Sequence, residues 1–379
     1  MKKRVLSALL CMTLTAGILA GCGTKGDENA IDPNADAGLD ITTQLVDGDD
    51  DPEPGEIPAG MARSYLTGEW IPEDQASNRP IGIMIENSKA AQPGYGTSQA
   101  DVIYEFEAEG GISRMLALYS DYSGIDRWGN VRSAREYFCY TAIAWDAIYV
   151  HFGGAIEAYQ QIFDLGIMDD IDLMSADNCY SFRSSDKKAP HNAYTTSEDI
   201  AKSIENHAYG TKYDDYFDGY FRFNKYDNEE IQLDGVDAAV ISAYQSDCKP
   251  YFVYNEDEGV YERFEFGSKH MDAYYDKQLA FKNVLIQITS VDAYFSDVDG
   301  HDRVDIGIVG SGRGYYCTNG KAIEVIWKCD KEGDVTRFYN ADGEEIRLNQ
   351  GKTMICVVDE DNDSKTGVYA SMDDYNSAK

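Results

Sequence analysis

Positive charge is the scarcest thing in this sequence. Lys and Arg number 33 against 67 Asp and Glu, a formal net charge of −34. Such a chain offers no basic stripe to neutralise phosphates, which argues against nucleic acid as a partner. It also argues against electrostatic adhesion to anionic lipid. The eight cysteines form no CxxC pair and no zinc-like spacing, and neither a metal nor a cofactor is expected. No GxSxG nucleophile elbow occurs. Asp359, Asp361 and Asp363 begin like a calcium loop, but Ser364 stands where the turn glycine should be and Ala370 where the closing glutamate should be. After the first 22 residues no apolar run is long enough to span a bilayer.

The N-terminal residues have a clear plan. Lys2, Lys3 and Arg4 precede an apolar stretch from Val5 to Ala20, and Leu19-Ala20-Gly21-Cys22 follows. A basic start, an apolar stretch and small residues at the cut describe a secretory signal. Leu-Ala-Gly-Cys resembles a bacterial lipobox. The expectation is a signal peptide over 1–21 and lipidation at Cys22, which anchors the protein to the cell membrane on the extracytoplasmic side. Residues 22–62 read as a tether: positions 23–58 hold eleven acids against one base, Lys25. That composition cannot bury enough apolar surface to fold, and its like charges extend it.

The remainder reads as two lobes, a mixed α/β (α+β) chain. The N-terminal lobe, 63–235, is expected to be α/β around a mixed sheet. "IGIMIEN" is an apolar run of strand length. "VIYEFEA" alternates with period two and is joined through Glu109-Gly110-Gly111 to "ISRMLALYS", a hairpin pattern. Ile103, Glu105 and Glu107 would share one face, Tyr104, Phe106 and Ala108 the other. Ser133 with Glu136 forms a capping-box pattern and predicts a helix from Ala134. "AIYVHF" is a strand, and Gly153-Gly154 turns it into the helix "AIEAYQQIFDLG". Thr195 with Glu198 predicts a further helix. From 236 to 359 short β-patterned runs alternate with turns such as Asn319-Gly320 and Asp342-Gly343, a mostly antiparallel β lobe. Gly310 to Gly314 reads as a tight β turn. Residues 360–379 read as a loose polar tail. Besides Cys22 and Cys11, the six other cysteines are scattered, and free buried thiols or disulfides both fit.

The candidate chemistry gathers where cations cluster. Arg132 and Arg135 flank a predicted helix start, whose unpaired N–H groups already carry positive charge. Together they suit a carboxylate or phosphate, which arginine's flat fork recognises in bidentate fashion. The alternative is that they pair with Glu105, Glu107 or Glu109 and hold the fold. His151 ends a strand before Gly-Gly, and His191 follows Pro190 in a loop with Lys187, Lys188 and Asn192. Either imidazole could serve as a base or a ligand donor, or be structural.

"RPIGIMIEN", "SQADVIYEFEAEGGISRMLALY", "VRSAREYF", "YVHFGGAIEA" and "KKAPHNAYT" resemble the N-terminal domain of the YerB-like bacterial lipoproteins. "VGSGRGYYCTNGKAIEVIWKC" and "TRFYNADGEEIRLNQGKT" are similar to that family's C-terminal domain. The resemblance covers roughly Arg79 to Val358 and implies two lobes of unknown function. It places family motifs on Glu109, Arg114, Arg132, Arg135, His151, Lys188, His191 and Asn192, and so implies one shared ligand-binding pocket. The expectation is binding of a cell-envelope fragment with carboxylates, such as a peptidoglycan peptide or wall sugar. An envelope hydrolase or transpeptidase-like enzyme and an interaction scaffold for envelope proteins are the alternatives.

Overall fold

Runs rich in β-branched and aromatic residues, spaced with period two, build a central sheet of eleven strands. The structure, a computed structural model, describes residues 57–379 apart from 166–167, 176–179, 215–216, 218 and 228. The expected signal peptide, Cys22, Cys179 and the tether up to residue 56 lie outside the described residues. The sheet strands are β1 Ile81–Glu86, β2 Val102–Glu107, β3 Ser113–Tyr119, β4 Ile148–His151, β5 Asp170–Asp172, β6 Val236–Asp237, β7 Asn283–Thr289, β8 Gly310–Thr318, β9 Lys321–Cys329, β10 Arg337–Tyr339 and β11 Thr353–Asp359. Their order is β6-β9-β8-β7-β11-β2-β3-β1-β4-β5, with β10 paired to β9. The hairpin β2–β3 is antiparallel and turns at Glu109–Gly111, as the Gly-Gly signal predicts. The two expected lobes meet inside this sheet: β11 runs parallel to β7 on one side and to β2 on the other.

Both faces of the sheet are buried, and the alternation along β1 to β3 explains how. Ile83, Ile103 and Ala117 face one core with Phe252, Tyr261 and Phe281 from a second, six-stranded sheet. Met84, Tyr104, Phe106 and Leu116 face the other with Phe138, Ala142 and Trp145, from and just after the helix Glu136–Ala144. Trp145 stacks on Tyr220 at 4.2 Å between centroids, an aromatic pair worth about 0.5–1.5 kcal/mol beyond its area. The architecture is mostly β, with several sheets and few helices, less helical than the expected α/β lobe.

Several local expectations are corrected. The helix starts at Glu136, not Ala134, and its N-cap Arg135 makes no side-chain cap bond. Ala134 is held extended instead: its N–H donates to the Gly153 carbonyl and it bridges to Gly154. The Ser133 hydroxyl donates to the Phe152 carbonyl rather than capping. The later helix, Ser197–His207, is capped by Thr196, whose hydroxyl accepts from the Asp199 N–H, one residue beyond the expected Thr195 box. The Gly310–Gly314 run is the start of β8, not a turn. A Cβ on Gly314 would lie 2.0 Å from the Ile286 carbonyl oxygen, so glycine lets the strands approach. The segment 360–379, expected as a loose tail, adds Gly367–Tyr369 to the six-stranded sheet and buries Tyr375.

Candidate functional site

The segment 130–135 passes the carboxyl ends of β1 and β4, the end of an open sheet where ligands bind. The Arg132 N–H donates to the Met84 carbonyl, and Phe152 N–H donates back to Arg132 O. This strapping places Arg132 beside Glu86, the last residue of β1, with Arg114 opposite Glu86 across the β1–β3 ladder.

The expected site residues separate into distinct groups. Arg135 grips Glu109 with a fork of 2.5 and 2.8 Å, and Arg114 adds a contact of 3.3 Å. Burial pushes the Glu109 carboxyl up, but the hydrogen bond and charge of Arg135 outweigh it and hold it below its ordinary value. These arginines are satisfied within the protein, the fold-holding alternative. His151 is fully buried between the Gly153 carbonyl at 2.9 Å and Asp170 at 3.1 Å. The Gly153 N–H that would greet an anion donates to Asp172 at 2.9 Å. Asn192 is buried, accepting from Arg183 and donating to the carbonyls of Ser184 and Lys187, and so shapes the 184–187 turn.

Arg132, Lys188 and His191 differ. The Arg132 guanidinium reaches Glu86 Oε2 only at 3.6 Å, and neither its Nε nor that oxygen finds a hydrogen-bond partner. The other Glu86 oxygen accepts from His191 Nδ1 at 2.7 Å and from the Ser88 hydroxyl at 2.8 Å. Among the described residues His191 is held through Nδ1, and no hydrogen bond is made at Nε2. Lys188 is exposed.

His191 and Lys188 line an open cleft of about 740 Å³, with Ala90, Gln92, Pro93, Tyr95, Asp186, Lys187 and Ala189. Lys187 forms its floor, donating to the carbonyls of Ala91 and Pro93 at 2.5 Å each. Burial pushes its ammonium down to about 8. Arg127 lies between the rings of Tyr95 and Tyr194 at 3.8 and 4.0 Å and pairs with Asp186 at 2.8 Å. A hydrogen bond from Ser184, then Arg127, hold Asp186 down at about 2. With that pair cancelled, Lys187 and Lys188 leave the cleft lining with an excess of positive charge in a strongly acidic chain, while Arg132 lies outside that lining, against Glu86. Sequence reasoning missed Glu86, although a carboxylate closing the apolar run "IGIMIE" was a visible signal. Glu105 lies fully buried, bonded across the fold to Arg263. Arg313, in the glycine-rich run, pairs with Asp363 far along the chain. Five cysteines, Cys139, Cys248, Cys317, Cys329 and Cys356, are free and buried.

Comparison with known proteins adds identity to this geometry. The model for the N-terminal domain of a protein of unknown function, DUF3048, matches residues 66–210, and the model for its C-terminal domain matches 239–355. The chain is 28% identical over 305 residues to "Putative lipoprotein YerB" of Bacillus subtilis (strain 168), covering 79% of this chain and 87% of that protein. A crystal structure of YerB from Bacillus subtilis superposes with a TM-score of 0.68 at 29% identity, covering 79% of this chain and 98% of that one.

Proposed function

Since the chain belongs to the DUF3048 family, through both its N-terminal and C-terminal domains, we propose that it is a membrane-anchored extracytoplasmic lipoprotein whose cleft binds an anionic cell-envelope fragment. The location rests on the lipobox at Cys22 and on the name of the YerB relative. The ligand class rests on chemistry plus location: a peptidoglycan peptide or wall sugar with carboxylates is the anion available there. One observation carries the reading. Arg132 is a part-buried guanidinium with no hydrogen-bond partner for Nε, beside an imidazole that a carboxylate holds with one nitrogen free. An incoming carboxylate would meet Lys188 and His191 in the cleft, with the charge of Arg132 beside Glu86 adding to the attraction.

The Glu86–His191 pair also favours the enzyme alternative, because an oriented imidazole can take a proton. The nearby Ser88 hydroxyl, however, donates to Glu86 and not to the imidazole, so it is not an activated nucleophile. Binding is therefore the better-supported function. The test is a thermal-shift titration of the full chain in mild detergent with purified muropeptides, alongside Arg132→Ala. Saturation at 100 times Kd stabilises by about 2.7 kcal/mol. A shift in wild type that vanishes in the variant is the expected result, and unchanged muropeptides after incubation separate binding from turnover. No shift in folded wild type refutes this ligand class.

A further inference from the structure

Behind the cleft lies a polar network with no access to solvent. Asn87, Glu105, Ser113, Cys248 and Arg263 are fully buried, and Glu265 and His270 nearly so. Glu105 comes from β2, whereas Arg263 and Glu265 belong to the strand Val260–Glu265 of the other half of the chain. Glu105 Oε1 is the hub: it accepts from the Ser113 hydroxyl at 2.6 Å, from Asn87 Nδ2 at 2.8 Å and from Arg263 Nη2 at 3.0 Å. Asn87 then turns its other end outward, accepting from Gln92 Nε2 at 3.1 Å. Gln92 lines the cleft. The 3₁₀ turn Lys89–Ala91 between them is held by Ala91 N–H to Ser88 O at 2.9 Å, by Gln92 N–H to Lys89 O at 3.4 Å and by Lys187 Nζ on the Ala91 and Pro93 carbonyls at 2.5 Å each.

We propose that Arg263 is a positioning residue for the cleft, fixing the wall at Gln92 through Glu105 and Asn87. The proposal rests on the binding reading only for what the cleft is for. Its physical claim concerns the ligand-free protein. Arg263 has one charge and two carboxylates to serve, Glu105 at 3.0 Å and Glu265 at 3.4 Å. Among the described residues no second cation touches the network. His270 accepts at Nδ1 from Arg263 Nε at 3.1 Å, and burial followed by the Arg263 charge keeps it neutral. The thiols of Cys248 and Cys356, which share the Arg263 and Glu105 surroundings, are pushed up by burial and stay protonated. One proton is thus needed for balance. Burial pushes the Glu265 carboxyl up to about 7, so Glu265 carries that proton at mildly acidic pH. While it does, Glu105 is the one carboxylate that balances the Arg263 charge. When Glu265 ionises, the guanidinium is shared and the new carboxylate also draws the Asn87 amide that hydrogen-bonds it, so both loosen their hold on Glu105 and the Asn87–Gln92 arm loosens with them. The cleft wall becomes firmer below neutral pH and softer above it.

Hydrogen exchange over residues 88–95 of the ligand-free full chain in mild detergent, expressed as protection factors from pH 5.5 to 8.5, tests this without any ligand. Wild type is expected to lose about tenfold protection in that segment across neutral pH, while Glu265→Gln keeps the acid-side protection until Lys187, which holds the Ala91 and Pro93 carbonyls, releases its proton at about 8. A wild-type profile that is flat in pH, or a Glu265→Gln profile as steep as wild type, overturns the proposal. Should Glu265→Gln not fold, Asn87→Ala, which cuts the arm, is expected to give a flat, weakly protected profile, and a wild-type slope there is equally fatal. A muropeptide shift without this pH profile would leave the binding function standing and remove only the positioning role. The profile without a muropeptide shift would do the reverse.

Discussion

Arg132 and Arg135 sit three residues apart on one strap and should respond to mutation in opposite ways. Arg135 gives Glu109 bonds of 2.5 and 2.8 Å, with side-chain exposures of 12% and 17%. Removing one partner of a buried pair costs about 3–5 kcal/mol, because the other is left uncompensated. The residual exposure and the remaining Arg114 contact place Arg135→Met near the low end, about 3 kcal/mol. Arg132 has only a 3.6 Å contact to Glu86, whose other oxygen keeps its bonds from His191 and Ser88, so Arg132→Met should cost less, about 1–2 kcal/mol, while losing ligand binding. Urea unfolding at unchanged m value reads both differences as midpoint shifts. The Arg135 effect also has a pH signature. The Glu109 carboxyl is held below its ordinary value, so its contribution is fully present above the unfolded carboxyl pKa and is lost as pH falls through the folded one. The Arg135→Met deficit should shrink in acid. Equal costs for the two substitutions, or a deficit at Arg135 that persists unchanged in acid, would refute the division into structural and ligand-facing arginines.

Burial, then Glu157 and Asp305, push the Glu136 carboxyl up to about 7. Its folded state keeps the proton after the unfolded chain has lost it, so stability should fall as pH rises from about 4.5 to 7. Glu136→Gln should match wild type at pH 4 and exceed it above pH 7 in thermal unfolding. Gly96 has φ +81°, and a Cβ there would lie 2.6 Å from the Trp128 ring. Gly96→Ala should therefore destabilise by roughly 1–3 kcal/mol through backbone strain and overpacking, measured by the same urea assay. Cys139, Cys248, Cys317 and Cys356, all fully buried, should resist thiol reagents in the folded protein and react once denaturant is added, as counted by mass spectrometry.

The sequence by itself determined the local elements and the neighbourhood of the site. Period-two runs and Gly-Gly or Asn-Gly turns mark the β2–β3 and β8–β9 hairpins, because a hairpin's register is set by residues close in the chain. The scarcity of cations made the arginines of the strap conspicuous, and the likeness to YerB-like lipoproteins was readable in the motifs. Only the tertiary structure decided which acid answers which base. Glu86, Glu105 and Glu109 are the same residue type within one stretch of the chain. Yet one meets His191 and one meets Arg263, 105 and 158 residues away, while the third meets Arg135, 26 residues away. The start of the helix at Glu136 was likewise a tertiary decision: the Gly153 carbonyl takes the Ala134 N–H and holds the chain extended against its local capping signal. Period and turn chemistry act between near neighbours, whereas charge pairing and burial are settled by whichever groups the sheet brings together from distant parts of the chain.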